Sequence, residues 1–385
     1  MLLDQQFLFT PGPTPVPNRV YHAMNQPMIG HRGNAFPKLL EDVSTRLMPV
    51  FGSLLPVLVI AGSGTSALET AVSNVVEEND EVVVIVTGAF GDRLASICEA
   101  FGANVHRLNI EWGKTCSPDQ LEDYLKSLQK NVKAVFATYC ETSTGVLNPI
   151  LELGKVTKQS TDALFVVDGV SCIGAVPVEM EEWGIDILVS GSQKALMLPP
   201  GLAFVAISER ARETIEKCQS KRFYLDLNKY LSSYEKEKST PFTPAVSLIY
   251  GAQEVCQMIE EEGFHNVIKR HQVLKDMVRV GLEAIELPLL VSDSEASPTV
   301  TAVKTADDSS KQIKKMLQDK FAITLGGGQK RLKGEIFRIG HMGYCTPFDV
   351  LKILSSIEMT LHELDRKQVL GVATKRAQEV WLQNV

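Results

Sequence analysis

The stretch SGSQKALMLPPG, residues 190–201, carries a single lysine, Lys194, between an apolar run and a Pro-Pro-Gly turn. The apolar residues 187–189 before it predict a buried strand that ends close to Lys194. A lysine at such a strand end is shielded from water, so it loses its proton readily and can attack a carbonyl to form a Schiff base. For this short stretch taken alone, a surface lysine on a loop is the alternative.

The chain around Lys194 alternates short apolar runs with longer mixed segments. The runs predict buried strands and the mixed segments predict helices, which together indicate an α/β domain with a large, mostly parallel sheet. The runs lie at residues 57–61, 82–87, 134–138, 164–168, 187–190 and 202–207. Ser117-Pro118 is typical of a helix start, with serine as the N-cap and proline in the first turn.

The pattern changes after about residue 240, where the segment TPFTP (240–244) forms a stiff connector to a long helix. A smaller α+β region follows, with predicted strands at 299–303 and 335–339, a helix at 310–320, and a last long helix capped by TPFD (346–349). Residues from about 366 onward are basic and favour a helix with no evident task. The first twenty residues contain four prolines and predict an extended arm. We therefore expect an arm at 1–20, a large domain at 21–262 and a small C-terminal domain at 263–385.

Bulk composition narrows the class of protein. The chain has 385 residues, 44% hydrophobic and 22% charged, with a formal net charge of −7. This charge gives no reason to expect a nucleic acid or an anionic membrane as a partner. The seven cysteines form no CxxC pair and no metal-ligand spacing, so we expect reduced thiols in a cytoplasmic protein. We expect neither a signal peptide nor a membrane helix, since no apolar run approaches about 20 residues.

Residues 61–69, AGSGTSALE, join a predicted strand to a predicted helix. Glycines let the backbone approach a ligand, and the free N–H groups at a helix start attract phosphate. Ser63 and Thr65 add hydroxyl donors, and Ser66 with Glu69 has the spacing of a capping box. A purely structural turn is the alternative, because Gly-Ser-Gly turns before helices are common.

Three further residues stand where a ligand could use them. Asp168 ends an apolar strand, where a carboxylate can pair with a protonated ring nitrogen, although an N-cap role is equally compatible. Phe90 follows another strand and could stack on a planar cofactor, or simply pack in the core. Arg338 lies inside an apolar strand and suits either a substrate carboxylate or an internal salt bridge. With Lys194 and the phosphate cradle, these are the parts that a pyridoxal phosphate enzyme needs.

Three motifs carry a resemblance to a known family: residues 190–201, ETSTGVLNP at 141–149, and VDGVS at 167–171. From about residue 11 to about residue 364, the chain resembles the class V pyridoxal phosphate-dependent aminotransferases of fold type I. It is most similar to the alanine–glyoxylate and serine–pyruvate aminotransferase group, which includes cyanobacterial proteins called soluble hydrogenase small subunit. The resemblance implies a large, mostly parallel sheet domain followed by a smaller α+β domain.

The resemblance also implies a role for each site residue. Lys194 would bind the cofactor covalently and move a proton, Asp168 would keep the pyridine nitrogen protonated, and Phe90 would stack on the ring. The other implied contacts are Ser63, Gly64, Thr65 and Gln193 on the phosphate, Thr142 near the ring hydroxyl, Arg338 on the substrate carboxylate, and Thr243 on the phosphate of a neighbouring subunit. The active unit would be a homodimer whose N-terminal arms cross to the partner.

Three further residues bear on the contact with the partner and on the substrate side. Relatives often carry a tyrosine three residues before the threonine matched by Thr243, and Thr240 stands there in this chain. His31 and Arg32, in GHRG at residues 30–33, suit a loop on the substrate side.

The expected reaction is a ping-pong transfer of an amino group from serine or alanine to glyoxylate or pyruvate. One alternative is a pyridoxal phosphate-containing subunit of a hydrogenase-associated redox complex, although the sequence has no metal-ligand spacing. A partner or regulator that only keeps the cofactor is a further alternative. A cysteine desulfurase-like lyase is the last, but it needs a histidine where Gln193 stands and a mobile cysteine, for which Cys345 is the only nearby candidate.

Overall fold

The computed structural model describes residues 6–305, 309–364 and 369–384, and all structural statements refer to these. The strands are β1 (Phe7–Phe9), β2 (Leu58–Gly62), β3 (Glu81–Val86), β4 (Asn104–Asn109), β5 (Ala134–Thr138), β6 (Cys140–Glu141), β7 (Val146–Leu147), β8 (Leu164–Asp168), β9 (Ile187–Gly191), β10 (Gly201–Ile207), β11 (Val300–Lys304), β12 (Ile323–Gly327) and β13 (Ile336–Gly340).

The α-helices fill the longer segments between the strands. They are α1 (Asn18–Met24), α2 (Ala35–Arg46), α3 (Met48–Phe51), α4 (Gly64–Val75), α5 (Ala89–Ala100), α6 (Pro118–Leu128), α7 (Ile150–Ser160), α8 (Met180–Trp183), α9 (Glu209–Lys217), α10 (Leu227–Glu237), α11 (Val246–Glu262), α12 (Phe264–Ala284), α13 (Ser309–Phe321), α14 (Pro347–Glu363) and α15 (Val372–Leu382).

A seven-stranded sheet in the order β2-β10-β9-β8-β5-β3-β4 forms the centre of the larger part. All neighbouring strands are parallel except β10, which is antiparallel to β2 and to β9. Every residue of β5, β8 and β9 is buried, because helices cover both faces of the sheet. The predicted mostly parallel α/β fold is thus confirmed. The edge strand β4 was not predicted, since its polar sequence lies half-exposed.

A second, four-stranded sheet in the order β1-β12-β13-β11 belongs to the smaller part. Its apolar core includes Leu274, Ile313, Phe337 and Leu354, from helices α12, α13 and α14 and strand β13. The predicted α+β pattern is present, and Thr346 with Asp349 forms the capping box that begins α14. The domain limits at residues 20 and 262 stay a prediction.

The N-terminal arm is anchored on its own chain, where residues 7–9 form β1 and pair in parallel with β12. The expected contact of the arm with a partner subunit stays a prediction. The side chain of Phe9 is buried in the small-domain core. The open edge of β12 accounts for this, because it satisfies the backbone groups of the arm.

Helix caps are partly as predicted. Ser117 caps α6 as expected, in a capping box with Gln120. The predicted box of Ser66 with Glu69 is wrong, since α4 begins earlier and Ser63 forms the box with Ser66. The physical reason is that Ser63 is still extended (φ −110°, ψ 170°) as the chain leaves β2, which makes it the N-cap.

The C-terminal region from about residue 366 does contain a helix, α15, which packs along α12 and α14; residues 365–368 and 385 lie outside the described residues. The buried Glu358 carboxylate accepts the N–H groups of Gly371, Ala373 and Thr374 at 3.0, 2.5 and 3.1 Å. It thereby satisfies donors at the start of α15. Within the described ranges no helix is both long and apolar enough to cross a membrane, and all seven cysteines are free thiols.

Candidate active site

A cavity lies at the carboxyl ends of the parallel strands, where open α/β sheets bind their ligands. The structure brings eight of the predicted site residues together in its wall: Ser63, Gly64, Thr65, Phe90, Thr142, Asp168, Gln193 and Lys194. The other lining residues are Leu68, Arg93, Val170 and Ser171. Residues from five segments far apart in sequence thus meet at one place.

Lys194 lies just beyond the end of β9, with only 9% of its surface exposed. Burial lowers the pKa of Lys194 to about 8, and the nearby Arg338 guanidinium acts in the same direction. Its Nζ donates a hydrogen bond to the carbonyl oxygen of Pro11. Near pH 8 a large fraction of this amine is therefore neutral and able to accept a proton or act as a nucleophile.

Asp168 is the last residue of β8 and is 4% exposed. Burial raises the pKa of Asp168 to about 6, against the lowering effect of the Val170 N–H, which donates to Oδ1 at 2.9 Å. The carboxylate is ionised at neutral pH at an energetic cost. A cationic partner in the cavity, such as a protonated ring nitrogen, would offset that cost.

The start of α4 forms one wall of the cavity. A Cβ on Gly64 would lie 2.8 Å from Cγ1 of Val170, so only glycine lets the helix start lie this close to the β8 segment. The first N–H groups of a helix have no carbonyl partner in the helix and attract anions. Beside them, the buried Oε1 of Gln193 has no hydrogen-bond partner among the described residues. These features form a cradle for a phosphate.

Phe90 and Arg93 lie one turn apart near the start of α5 and both face the cavity. The guanidinium carbon of Arg93 lies 4.8 Å from the centroid of the Phe90 ring, a cation–π contact. Sequence reasoning missed Arg93, although its i+3 spacing from Phe90 was a usable signal.

Glu141 is a second residue that sequence reasoning missed, and its side chain is fully buried. Its carboxylate accepts the N–H groups of Phe90 at 3.1 Å, Gly91 at 3.0 Å and Ser143 at 3.0 Å. The Ser143 hydroxyl oxygen accepts the Ala89 N–H at 2.9 Å. The segment that contains Thr142 therefore caps the helix that presents Phe90. An acidic residue three positions beyond the end of the apolar strand β5 was the available signal.

Arg338 lies in β13 behind Thr142 rather than in the cavity wall. Its guanidinium donates to the Thr142 carbonyl at 2.8 Å and, from Nε and Nη2, to the Gly327 carbonyl at 2.9 and 2.7 Å. Burial lowers the pKa of Arg338 to about 10, while the Glu141 carboxylate raises it. These bonds use three of the five N–H donors of a guanidinium, so two remain for a carboxylate.

Thr142 also pairs with Ser171, hydroxyl to hydroxyl, by a short hydrogen bond. Both side chains lie in the cavity wall. Ser171 belongs to the VDGVS segment, and sequence reasoning had given it no role of its own. This pair gives the cavity two adjacent hydroxyl groups.

Thr243, His31 and Arg32 do not reach this cavity. Thr243 lines a separate cavity with Tyr224 and Phe242. Arg32 donates to the carbonyl oxygens of Thr240 and Pro241, each at 3.2 Å, so the loop at 30–33 lies against the connector. Because the resemblance assigns Thr243 to a neighbouring subunit's site, its expected role stays a prediction.

Cys345 lacks the character of a reactive loop cysteine. It is 7% exposed and adjoins the cap of α14, and burial raises its pKa to about 12. Across residues 6–305, 309–364 and 369–384, no three His, Cys, Asp or Glu side chains cluster so that they could hold a metal ion.

Residues 6–339 match the family model described as Aminotransferase class-V. The chain belongs to this family.

Three relatives are similar over nearly their whole length. An uncharacterized aminotransferase of Methanocaldococcus jannaschii is 43% identical, with 94% of each chain covered. The soluble hydrogenase small subunit of a Synechococcus species is 40% identical, again with 94% of each covered.

The third relative, serine–glyoxylate aminotransferase of Arabidopsis thaliana, is 34% identical, with 94% of this chain and 92% of the relative covered. Among solved structures, ureidoglycine–glyoxylate aminotransferase of Bacillus subtilis superposes with a TM-score of 0.91 at 30% identity, covering 99% of both chains. The predicted family and the fold type I architecture are thus confirmed.

The cofactor of this class V aminotransferase is pyridoxal 5′-phosphate, as the family implies. The residues present fit that group. The glycine cradle at the start of α4 and the unpartnered Gln193 Oε1 suit a phosphate, and the buried Asp168 carboxylate suits a protonated pyridine nitrogen.

Proposed function

We propose that this aminotransferase transfers the amino group of a small amino acid, serine or alanine, to glyoxylate or pyruvate by a ping-pong mechanism. The observation that carries the proposal is the single cavity that combines a buried lysine, a buried aspartate and a helix start, with Arg338 directly behind it. Relatives named for serine–glyoxylate and ureidoglycine–glyoxylate transfer support glyoxylate as the acceptor.

Pyridoxal phosphate, when bound, supplies a carbonyl that takes up the amino group and a ring that withdraws electrons from it. We assign its phosphate to Ser63, Gly64, Thr65 and Gln193, and its pyridine nitrogen to Asp168. Phe90 would stack on the cofactor ring with the face of its own side chain that does not contact Arg93. Thr142 and Ser171 would hydrogen-bond to the ring hydroxyl.

Each remaining role follows from the chemistry of the side chain. Lys194, with its lowered pKa, would accept a proton at Nζ from the substrate Cα and deliver it to the cofactor carbon within the same half of the transfer; the second half would reverse this movement. The ionised Asp168 would keep the pyridine nitrogen of the cofactor protonated and therefore positively charged. Arg338 offers two N–H donors in a fork, which matches the two oxygens of an α-carboxylate.

We further infer a homodimer in the cytoplasm. Thr243 lies outside its own chain's cavity, near the exposed aromatic rings of Phe223 and Tyr224, which suits a contribution to a partner's phosphate site. The free, mostly buried thiols suit a reducing compartment.

The name of the Synechococcus relative motivates a second candidate, a subunit of a hydrogenase-associated redox complex. Nothing in the described site favours it. Stoichiometric nickel or iron in the purified protein would support it, and metal analysis is the direct check.

The test of the proposed function is the visible absorption spectrum of the protein reconstituted with pyridoxal phosphate. We expect a visible band that falls when L-serine or L-alanine is added and returns on addition of glyoxylate or pyruvate. A band that no small amino acid changes would reject the proposed donors, and incorporation of no cofactor would reject an enzymatic role.

A further inference from the structure

The N-terminal arm enters the active site of its own chain. Beyond β1, the arm crosses Lys194, whose Nζ donates to the Pro11 carbonyl. Thr14 binds the same segment twice: its N–H donates to the Gln193 carbonyl at 3.2 Å, and its hydroxyl donates to the Lys194 carbonyl at 3.0 Å. The arm is therefore bonded to both the side chain and the main chain at Lys194.

Three glycines on or just beyond the strands of the four-stranded sheet leave space for the arm and for the Lys194 main chain. A Cβ on Gly340 would lie 2.2 Å from the Thr10 carbonyl oxygen, and one on Gly326 would lie 2.7 Å from Cδ of Pro11. A Cβ on Gly343 would lie 2.9 Å from the Lys194 carbonyl oxygen. The small-domain strands thus hold the arm against the large-domain lysine at van der Waals distance.

Gly12 is the point of closest approach. Its φ of +111° favours glycine, and a Cβ there would lie 2.5, 2.6 and 2.7 Å from Cδ, Cε and Nζ of Lys194. A side chain at position 12 cannot coexist with the observed lysine conformation, so either the arm or Lys194 would have to move.

We propose that the arm is a positioning element of the active site, in which the Pro11 carbonyl holds the Lys194 amine whenever that amine is not bonded to the cofactor. A neutral amine that donates one N–H to a carbonyl still has its lone pair free to accept a proton. The bond therefore orients Nζ without fixing its charge. The inference rests on the proposed role of Lys194.

The arm affects the amine by excluding water rather than by charge, because TPGPT at residues 10–14 has no ionisable side chain. The charged and titratable groups that face Lys194 come from other elements: Asp168 on β8, Arg338 on β13, Arg93 on α5 and Cys140 on β6. Displacing the arm leaves these groups in place but admits water, so the lysine pKa should rise toward its ordinary value.

The first test uses the cofactor-free, full-length protein. Lys194 is modified with acetic anhydride across a pH series, and its modification rate is followed by peptide mass spectrometry, with the exposed Lys315 as internal reference. We compare wild type, Gly12→Ala, Thr14→Val and the conservative control Thr14→Ser. The midpoint of the rate profile should rise by about one pH unit in Gly12→Ala, rise less in Thr14→Val, and stay unchanged in Thr14→Ser.

The second readout is turnover of the reconstituted enzyme. Because a displaced amine is misplaced for proton transfer, Gly12→Ala should lower kcat by about tenfold or more with a smaller change in KM. Wild-type midpoints and wild-type kcat in both Gly12→Ala and Thr14→Val would overturn the proposal. If Gly12→Ala does not fold, the comparison of Thr14→Val with Thr14→Ser tests the proposal. If the midpoints shift but the wild-type protein transfers no amino group, the proposed function is rejected, whereas the positioning role of the arm is still supported.

Discussion

At the residue scale, Lys194 is the group on which the proposed chemistry depends. Lys194→Ala removes the only lysine in the cavity wall of the described chain, and no other lining residue has an amine. We expect kcat to fall by at least about 100-fold, the usual contribution of a positioned acid–base group. Lys315→Ala, at an exposed position, is the matched control. Turnover at the wild-type rate in Lys194→Ala would refute the mechanism.

Asp168 illustrates the conflict between stability and function. Because its pKa rises from 3.8 to about 6 on folding, the native state binds more protons than the unfolded state between these pH values. The free energy of unfolding therefore falls as pH rises through this window, and the loss is complete above about pH 6. At 1.36 kcal/mol per pKa unit, the loss is about 3 kcal/mol.

Asp168→Asn should consequently stabilise the cofactor-free protein at pH 8, while weakening its binding of pyridoxal phosphate. Thermal unfolding with and without cofactor measures both effects. The exposed Asp162→Asn is the control and should change neither. A cofactor-free Asp168→Asn protein that is less stable than wild type at pH 8 would contradict this account.

Substitution of Arg338 tests whether its guanidinium binds the α-carboxylate of the substrate. Arg338→Lys keeps the positive charge but removes the planar fork and the bonds to Thr142 and Gly327. KM for L-serine should rise by about tenfold or more, the equivalent of one lost charge-assisted hydrogen bond, while cofactor binding should change little. Arg331→Lys is the control, since Arg331 stacks on Trp112 away from the cavity. An unchanged KM would remove Arg338 from the substrate site.

At the scale of elements, helix α5 depends on a cap supplied by another segment. Gly88, its N-cap, has no side chain to offer, and Glu141 and Ser143 satisfy the first N–H groups instead. This arrangement requires glycine at 88, because a Cβ there would lie 2.4 Å from Cδ of Glu141. The cap fixes Phe90 relative to Thr142, and both side chains line the cavity.

Glu141→Gln should therefore affect both stability and cofactor binding. Loss of the ionic acceptor should lower the free energy of unfolding by about 1–3 kcal/mol and weaken binding of pyridoxal phosphate through Phe90. Denaturant unfolding and cofactor titration measure the two effects. Glu99→Gln, at an exposed position, serves as the control. A variant with lower stability but unaltered cofactor affinity would show that the cap does not position Phe90.

At the scale of the whole molecule, we propose that a second chain completes the site. We expect light scattering to give twice the 42.4 kDa mass of the chain. If Thr243 of each chain completes the partner's phosphate site, cofactor occupancy should fall as dilution separates the chains. A monomer that binds pyridoxal phosphate as tightly as the dimer would reject the shared site.

The sequence alone was sufficient for the parts of the fold that depend on local patterns. Continuous apolar runs predicted β5 and β8 with their observed bounds, since strands buried on both faces have no polar residue to interrupt them. Ser117-Pro118 and Thr346-Pro347 predicted helix starts, because a cap uses residues three positions apart. The sequence motifs also supplied eight of the residues that meet in the cavity, but not Arg93 or Ser171.

Only the tertiary structure decided the contacts between distant segments. Three contacts join residues some 50 to 200 positions apart in the sequence. The Glu141 carboxylate caps α5, Arg338 binds the Thr142 carbonyl, and the arm lies on its own Lys194. No local periodicity encodes such pairs. They form because folding buries polar groups that must find partners, and the partner is whichever group the packed sheets bring within hydrogen-bond distance.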